Sequence, residues 1–150
     1  MNRLVLAAAA AAGLVTALPA AAQFQKPEDA IKYRKAAFTV MANHFGRVAA
    51  MASGKVPFDA AAVQANAEIV ATMSKLPYAG FIEGTSNGET KAKPEIWTEQ
   101  DKFKAAASKM QEEVAKLNVV AKGGNIDQIK AAVGDVGKSC KACHDNYRKE

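Results

Sequence analysis

The sequence predicts an all-α fold: an antiparallel four-helix bundle with one long connection between its second and third helices. Three observations predict it. Four segments repeat apolar residues at alternating spacings of three and four, the seam of helices that pack side by side. Alanine is abundant and β-branched residues are sparse, which favours helix over strand. No segment alternates apolar and polar residues as a half-buried strand does. The first–second and third–fourth links are short, so those pairs are antiparallel neighbours. At 150 residues the chain is long enough for one domain with one core.

Residues 1–22 read as a cleaved secretory signal: a positive start at Met1-Asn2-Arg3, an apolar run from Leu4 to Leu18, and small residues at Ala20-Ala21-Ala22. The apolar run is shorter than the roughly 20 residues that span a bilayer. Residues 23–150 then form one exported domain, with the bacterial periplasm the expected compartment. The first helix begins at Pro27, with Glu28 and Asp29 complementing its dipole. Its seam is Ile31, Phe38, Met41, Phe45, Val48 and Ala52, interrupted by Arg34, and Gly54 and Pro57 end it. The second helix follows the N-cap Asp59, carries Val63, Asn66, Val70, Met73 and Leu76, and stops at Pro77. A connection from Tyr78 to Trp97, rich in Gly, Thr, Ser, Asn and Lys, is long enough to suggest a functional loop. Thr98-Glu99-Gln100-Asp101 resembles a capping box for the third helix. That helix repeats Phe103, Ala107, Met110, Val114, Leu117 and Ala121 before Gly123-Gly124. Asn125 caps the fourth, whose seam is Ile126, Ile129, Val133, Val136, Cys140, Cys143 and Tyr147.

The composition narrows the function. The formal charge is +5, but the basic residues are scattered singly among acids, a solvated surface rather than a nucleic-acid patch. No cluster of aromatics and arginines is present to stack bases. Charged residues make up 23% and apolar residues 49%, as expected of a folded soluble domain.

The chemistry concentrates in the closing stretch SCKACHDNYRKE. Cys140 and Cys143 fall on the seam of the fourth helix, so both point into the bundle, and His144 stands on the adjoining stripe. Cys-x-x-Cys-His is the attachment motif of c-type haem, two thiols for the porphyrin vinyl groups and an axial imidazole for the iron. Other readings compete. A disulfide between Cys140 and Cys143 suits an oxidising compartment but has poor geometry inside a helix. A thioredoxin-like pair belongs at a helix N-terminus after a strand. A zinc site needs further ligands, and His44 is the only other histidine.

These residues carry a resemblance. "QFQKPEDAIKYRKAA" at 23–37 resembles the first-helix opening of the cytochrome c′ family of class II c-type cytochromes, "PEIW" at 94–97 the opening of its third helix, and "GDVGKSCKACHDNYRK" at 134–149 its haem-binding last helix. The resemblance spans nearly all of residues 23–150. It implies a four-helix bundle, commonly a homodimer, with one haem c bound covalently through Cys140 and Cys143 and with His144 as the axial iron ligand. Only six residues follow His144, so any sixth ligand comes from upstream. The resemblance places Phe38 on the face opposite His144, where six-coordinate relatives carry methionine. Phenylalanine cannot ligate iron, so a five-coordinate iron is expected.

Arg34 on a core seam must be paired or solvated; a haem propionate is the expected partner, and snorkelling out at the bundle end the alternative. Lys35 stands beside it, where the family often has glutamine. Glu89 and Thr90 match the loop over the haem edge. Arg148, one helical turn past His144, is expected on the proximal side. Met41 reads as core, and His44 as a surface residue. Gly134 and Gly137 each cost the helix roughly 1 kcal/mol against alanine, which crowding by haem or a neighbouring helix could justify. The expected function is gas binding, nitric oxide above all and carbon monoxide, with electron transfer to an unidentified redox partner as the alternative. No acid–base residue accompanies Phe38, so enzymatic turnover is not expected.

Overall fold

Residues 23–150 are described by a computed structural model; the signal predicted over 1–22 lies outside the described residues. Helix α1 (Pro27–Ala52) starts on Pro27 with Glu28 and Asp29 in its first turn. It ends where Gly54 takes the left-handed conformation, φ 75°. Helix α2 (Ala60–Met73) is capped by Asp59, whose carboxylate accepts from the Ala62 amide. It stops three residues before the expected end. Pro77 opens a separate 3-10 turn, Pro77–Gly80, and Leu76 stays exposed.

A short helix, α3 (Glu95–Thr98), precedes α4 (Gln100–Gly123). The expected capping box does not form. Thr98 closes α3, and its hydroxyl donates to Glu95 O, so Glu99 takes the N-cap position of α4 with no side-chain capping bond to the helix amides. Gly124, at φ 67°, ends α4. The Asn125 side chain accepts from the Gln128 amide to start α5 (Ile126–Tyr147).

The long helices pack in chain order round a ring, α1 on α2, α2 on α4, α4 on α5 and α5 on α1. The start of α2 lies by the end of α4, since a Cβ on Gly124 would sit 3.6 Å from Ala60. The Ser74 carbonyl beyond the end of α2 accepts from Gln111, near the middle of α4. Those two helices therefore run antiparallel, completing the predicted bundle.

The seams meet in one main core that includes Val48, Val63, Val70, Val114, Leu117, Ile129 and Val136, all at most 1% exposed. Each such side chain contributes about 1.5–3 kcal/mol of transfer free energy. Ile126, placed on the α5 seam by spacing alone, is instead exposed at the first turn. A second cluster of Ile96, Phe103 and Tyr147, with Tyr78, Phe81, Trp97 and Cys143 against it, lies where the 78–97 connection meets α4 and α5. Among the described residues no helix is long and apolar enough to cross a membrane.

Candidate functional site

The last two turns of α5 bring the two cysteines to the boundary between these clusters. Cys140 packs on the main core and Cys143 on the aromatic cluster. Both are half-buried free thiols. Burial pushes both thiols up from their ordinary range, Cys140 raising Cys143 further. Burial and the Arg148 cation lower the His144 imidazole, and Asp145 opposes them.

Facing the thiols is a wall of rings. Phe81 and Phe103 meet edge to face at 4.9 Å, Phe103 and Tyr147 at 5.3 Å, and Tyr78 lies 5.9 Å from Phe103. Phe38 on α1 sets its edge to Tyr78 at 6.2 Å and to Phe81 at 6.3 Å. Tyr78 is close enough to the cysteines that burial, then Cys143 and Cys140, hold its phenol well above the usual range. A cleft of about 660 Å³ opens along Tyr78, Phe81, Ile96, Trp97 and Phe103. Six of the ten aromatic residues gather here, from positions 38 to 147. Sequence periodicity placed Phe38, Phe103 and Tyr147 on seams but did not join them to Tyr78, Phe81 and Trp97. No local signal joins them: Phe38 lies midway along α1, Phe103 near the start of α4, Tyr147 at the end of α5, and the other three in the connection.

Arg34 is buried, 2% exposed, which overturns the snorkelling alternative. Nη1 donates to Gly80 O at 2.8 Å and to Thr85 Oγ1 at 2.7 Å. Nη2 donates to Thr85 O at 2.7 Å and to Thr90 Oγ1 at 2.8 Å. The guanidinium carbon lies 4.5 Å from the Phe81 ring centroid and 5.6 Å from that of Trp97. Both terminal nitrogens are thus committed to the connection, leaving Nε–H as the free donor. A fork closed on a propionate by both terminal nitrogens does not fit this arrangement. Burial lowers the group to about 10, so it stays charged at neutral pH. No carboxylate pairs with it among the described residues.

The other predicted residues fall as follows. Lys35 Nζ donates to Glu89 O at 3.1 Å, so Lys35, Glu89, Thr90 and Arg34 form one group. Arg148 is not on a continuing helical face: α5 ends at Tyr147, and Arg148 is extended, paired across a β-bridge with Ala92. It still lines a surface cleft with His144, Lys91 and Lys93. Met41 is buried in the main core. His44 is half-buried rather than free at the surface. Its Nδ1 lies 2.7 Å from Asn66 Oδ1, and Asn66 gives its own amide hydrogens to Ala62 O, so His44 is the donor. A Cβ on Gly134 or Gly137 would meet nothing within 4 Å, which excludes helix crowding as their reason.

These residues fit a haem c. Two free thiols one turn apart, an adjoining imidazole and a lining of rings match the donor chemistry of the motif, and the buried, uncompensated Arg34 charge suits a cofactor bearing carboxylates. The poor geometry of a disulfide within one helical turn stands, since both cysteines lie inside α5.

Comparison with known proteins agrees. The family profile described as Cytochrome C' matches residues 29–148. A cytochrome c′ of Rubrivivax gelatinosus is 54% identical over 129 residues, covering 85% of this chain and all of the relative. Its crystal structure superposes with a TM-score of 0.82 at 55% identity, over 85% of this chain and 100% of that one. A nitric oxide complex of a cytochrome c prime variant from Alcaligenes xylosoxidans is similar at TM-score 0.81 and 49% identity, over 85% of this chain and 99% of that one.

Proposed function

Because the chain belongs to the cytochrome c′ family, we propose that it is an exported, periplasmic protein carrying one haem c and binding small diatomic gases, nitric oxide above all. The observation that carries this reading is the placement of Cys140 and Cys143, two free thiols one turn apart against the aromatic wall, with His144 next in the chain. The haem, when bound, supplies an iron that takes a diatomic ligand and cycles between ferric and ferrous states. The chain supplies the rest. Cys140 and Cys143 fix the group to α5, and His144 offers its imidazole to the metal. Phe38, which cannot ligate, would present an apolar ring to a bound haem and supply no ligand of its own, which supports the five-coordinate reading. Arg34 places positive charge near the carboxylates, with Lys35, Glu89 and Thr90 at the rim. The nitric oxide complex of the similar Alcaligenes protein supports the choice of ligand. In solution the protein is a homodimer, as the family resemblance implies.

The position of His144 on a surface cleft lined by Lys91, Lys93 and Arg148 favours a second reading, electron transfer with a docked redox partner. One experiment addresses both. Purified from a host with haem-attachment machinery, the protein should keep its haem through acid–acetone extraction and show a mass increased by one haem. Its ferrous spectrum should be high-spin and change on adding nitric oxide. Haem that extracts freely overturns the attachment; a low-spin ferrous spectrum with a methionine or histidine sixth ligand moves the assignment to electron carrier.

A further inference from the structure

The 78–97 connection ends in a strap fastened to the turn of α5 that bears His144. Thr90 Oγ1 accepts from Arg34 Nη2 at 2.8 Å and from the Ala92 amide at 3.1 Å, so one hydroxyl joins α1 to the segment that follows. That segment pairs antiparallel with the tail beyond α5. The Lys93 amide donates to Tyr147 O at 2.9 Å and the Lys149 amide to Lys91 O at 2.7 Å, with Ala92 opposite Arg148. Lys93 Nζ reaches Asp145 O at 2.9 Å.

The bonds answer a specific need. The last four carbonyls of a helix have no partner within it, and such ends fray. In α5 those are the carbonyls of His144, Asp145, Asn146 and Tyr147. His144 O takes the Arg148 amide at 3.0 Å, while Asp145 O and Tyr147 O both take donors from Lys93. One residue of the connection thus caps two of the four carbonyls, while the Arg148 amide closes a third by the ordinary bond to the residue four back. The main core does not require this, since the seams close without residues 88–93.

We propose that Thr90 and Lys93 are positioning residues for His144: the strap from Arg34 through Thr90 to Lys93 holds the final turn of α5 and resists withdrawal of the imidazole from the metal. The proposal rests on the assignment of His144 as axial ligand. Neither residue touches the metal; they act on the backbone of residues 144–148.

The test uses the haem-loaded protein and three variants, Thr90→Val, Thr90→Ser and Lys93→Met. Two readouts are needed: hydrogen exchange of the Lys93 and Lys149 amides, and the iron–histidine stretching band by resonance Raman. Thr90→Val should speed exchange of both amides about tenfold or more, leave amides beside the main core unchanged, and shift or broaden the iron–histidine band. Thr90→Ser, which keeps the hydroxyl, should restore both readouts. Lys93→Met keeps the backbone pairing and removes only the bond to Asp145 O, so it should move the band with a smaller change in exchange. It also guards against Thr90→Val failing to fold. Wild-type exchange in Thr90→Val overturns the strap, and faster exchange with an unmoved band in both Thr90→Val and Lys93→Met overturns its positioning role. A wild type with no iron–histidine band would instead refute the ligand assignment, while exchange in Thr90→Val would still report on the strap.

Discussion

Gly80 packs so closely on Arg34 that a Cβ added to it would lie 2.9 Å from the arginine Cβ and 2.6 Å from Ala30 O. The turn Pro77–Gly80 therefore sits directly on the second turn of α1, close enough for Gly80 O to accept from Nη1. Gly80→Ala must push this turn away from α1 and loosen that bond. We expect a loss of roughly 1–3 kcal/mol, measured by urea denaturation. Gly46 is the control. It lies within α1 with open space around it, so Gly46→Ala should gain about 0.5–1 kcal/mol of helix propensity. If both variants moved stability alike, close packing at Gly80 would be the wrong explanation.

Arg34 separates charge from geometry. Arg34→Leu strips the buried Gly80 and Thr85 carbonyls of their donors, and each unsatisfied acceptor costs about 1–3 kcal/mol. The variant should therefore be destabilised and its 80–90 segment should become protease-sensitive. It also removes a positive charge from beside the proposed haem, which disfavours the ferrous form, so the reduction potential should fall by on the order of tens of millivolts. Arg34→Lys keeps the charge without the fork. It should hold most of the potential yet fail to restore the segment. A potential that followed stability in both variants would remove the electrostatic role.

Glu113 supplies a pH dependence. This buried carboxylate on α4 accepts from Lys109 Nζ at 2.6 Å and Lys116 Nζ at 3.0 Å. The bond from Lys109, then that from Lys116, holds it below the ordinary value of 4.5. A folded-state value below the unfolded one stabilises the fold above pH 4.5, and the contribution disappears as pH falls through the folded value. Glu113→Gln should thus be less stable than wild type at pH 7, with the gap closing on acidification below pH 4.5. A gap that stayed constant down to pH 3 would show that shape, not charge, matters at this position. High salt should narrow the gap at neutral pH, because both lysines are exposed.

How much of this was legible in the sequence depends on range. The α4 seam Phe103, Ala107, Met110, Val114, Leu117 and Ala121 is buried at every position, because a local period of three and four dictates which face turns inward. Asp59 and Asn125 cap as read, since a cap involves only three residues. The Cys140–Cys143–His144 spacing was likewise local. What escaped depends on pairs distant in the chain. Arg34 was seen to be anomalous, but its partners are 46 to 56 residues away. The predicted helical continuation of α5 through Arg148 failed because Ala92, far upstream, pairs with that residue and stops the helix. Thr98 failed as a cap because Pro94 had already started a helical turn of its own.

Phe38 offers the sharpest functional test. It is half-buried on α1, edge-on to Tyr78 and Phe81, and packs against the same core as Cys140. Its ring meets two neighbouring rings edge to face, and swinging aside breaks contacts worth about 0.5–1.5 kcal/mol each. If it closes the face opposite His144, a ligand arriving there must displace it or bind in a strained geometry. Phe38→Ala removes the obstruction and should strengthen carbon monoxide binding to the ferrous protein by about tenfold or more, a change of about 1.4 kcal/mol. The variant should lose some stability, but less than the roughly 3–5 kcal/mol of a fully buried Phe→Ala change, because the site is only half-buried. Phe38→Leu, which keeps an apolar side chain of intermediate bulk, should fall between the two in affinity. The measurement is a carbon monoxide titration with laser-flash rebinding. Steric closure predicts that the gain appears mainly in the association rate. An unchanged affinity in Phe38→Ala, or a gain confined to dissociation, would show that Phe38 is core packing alone and that another side chain governs the face opposite His144.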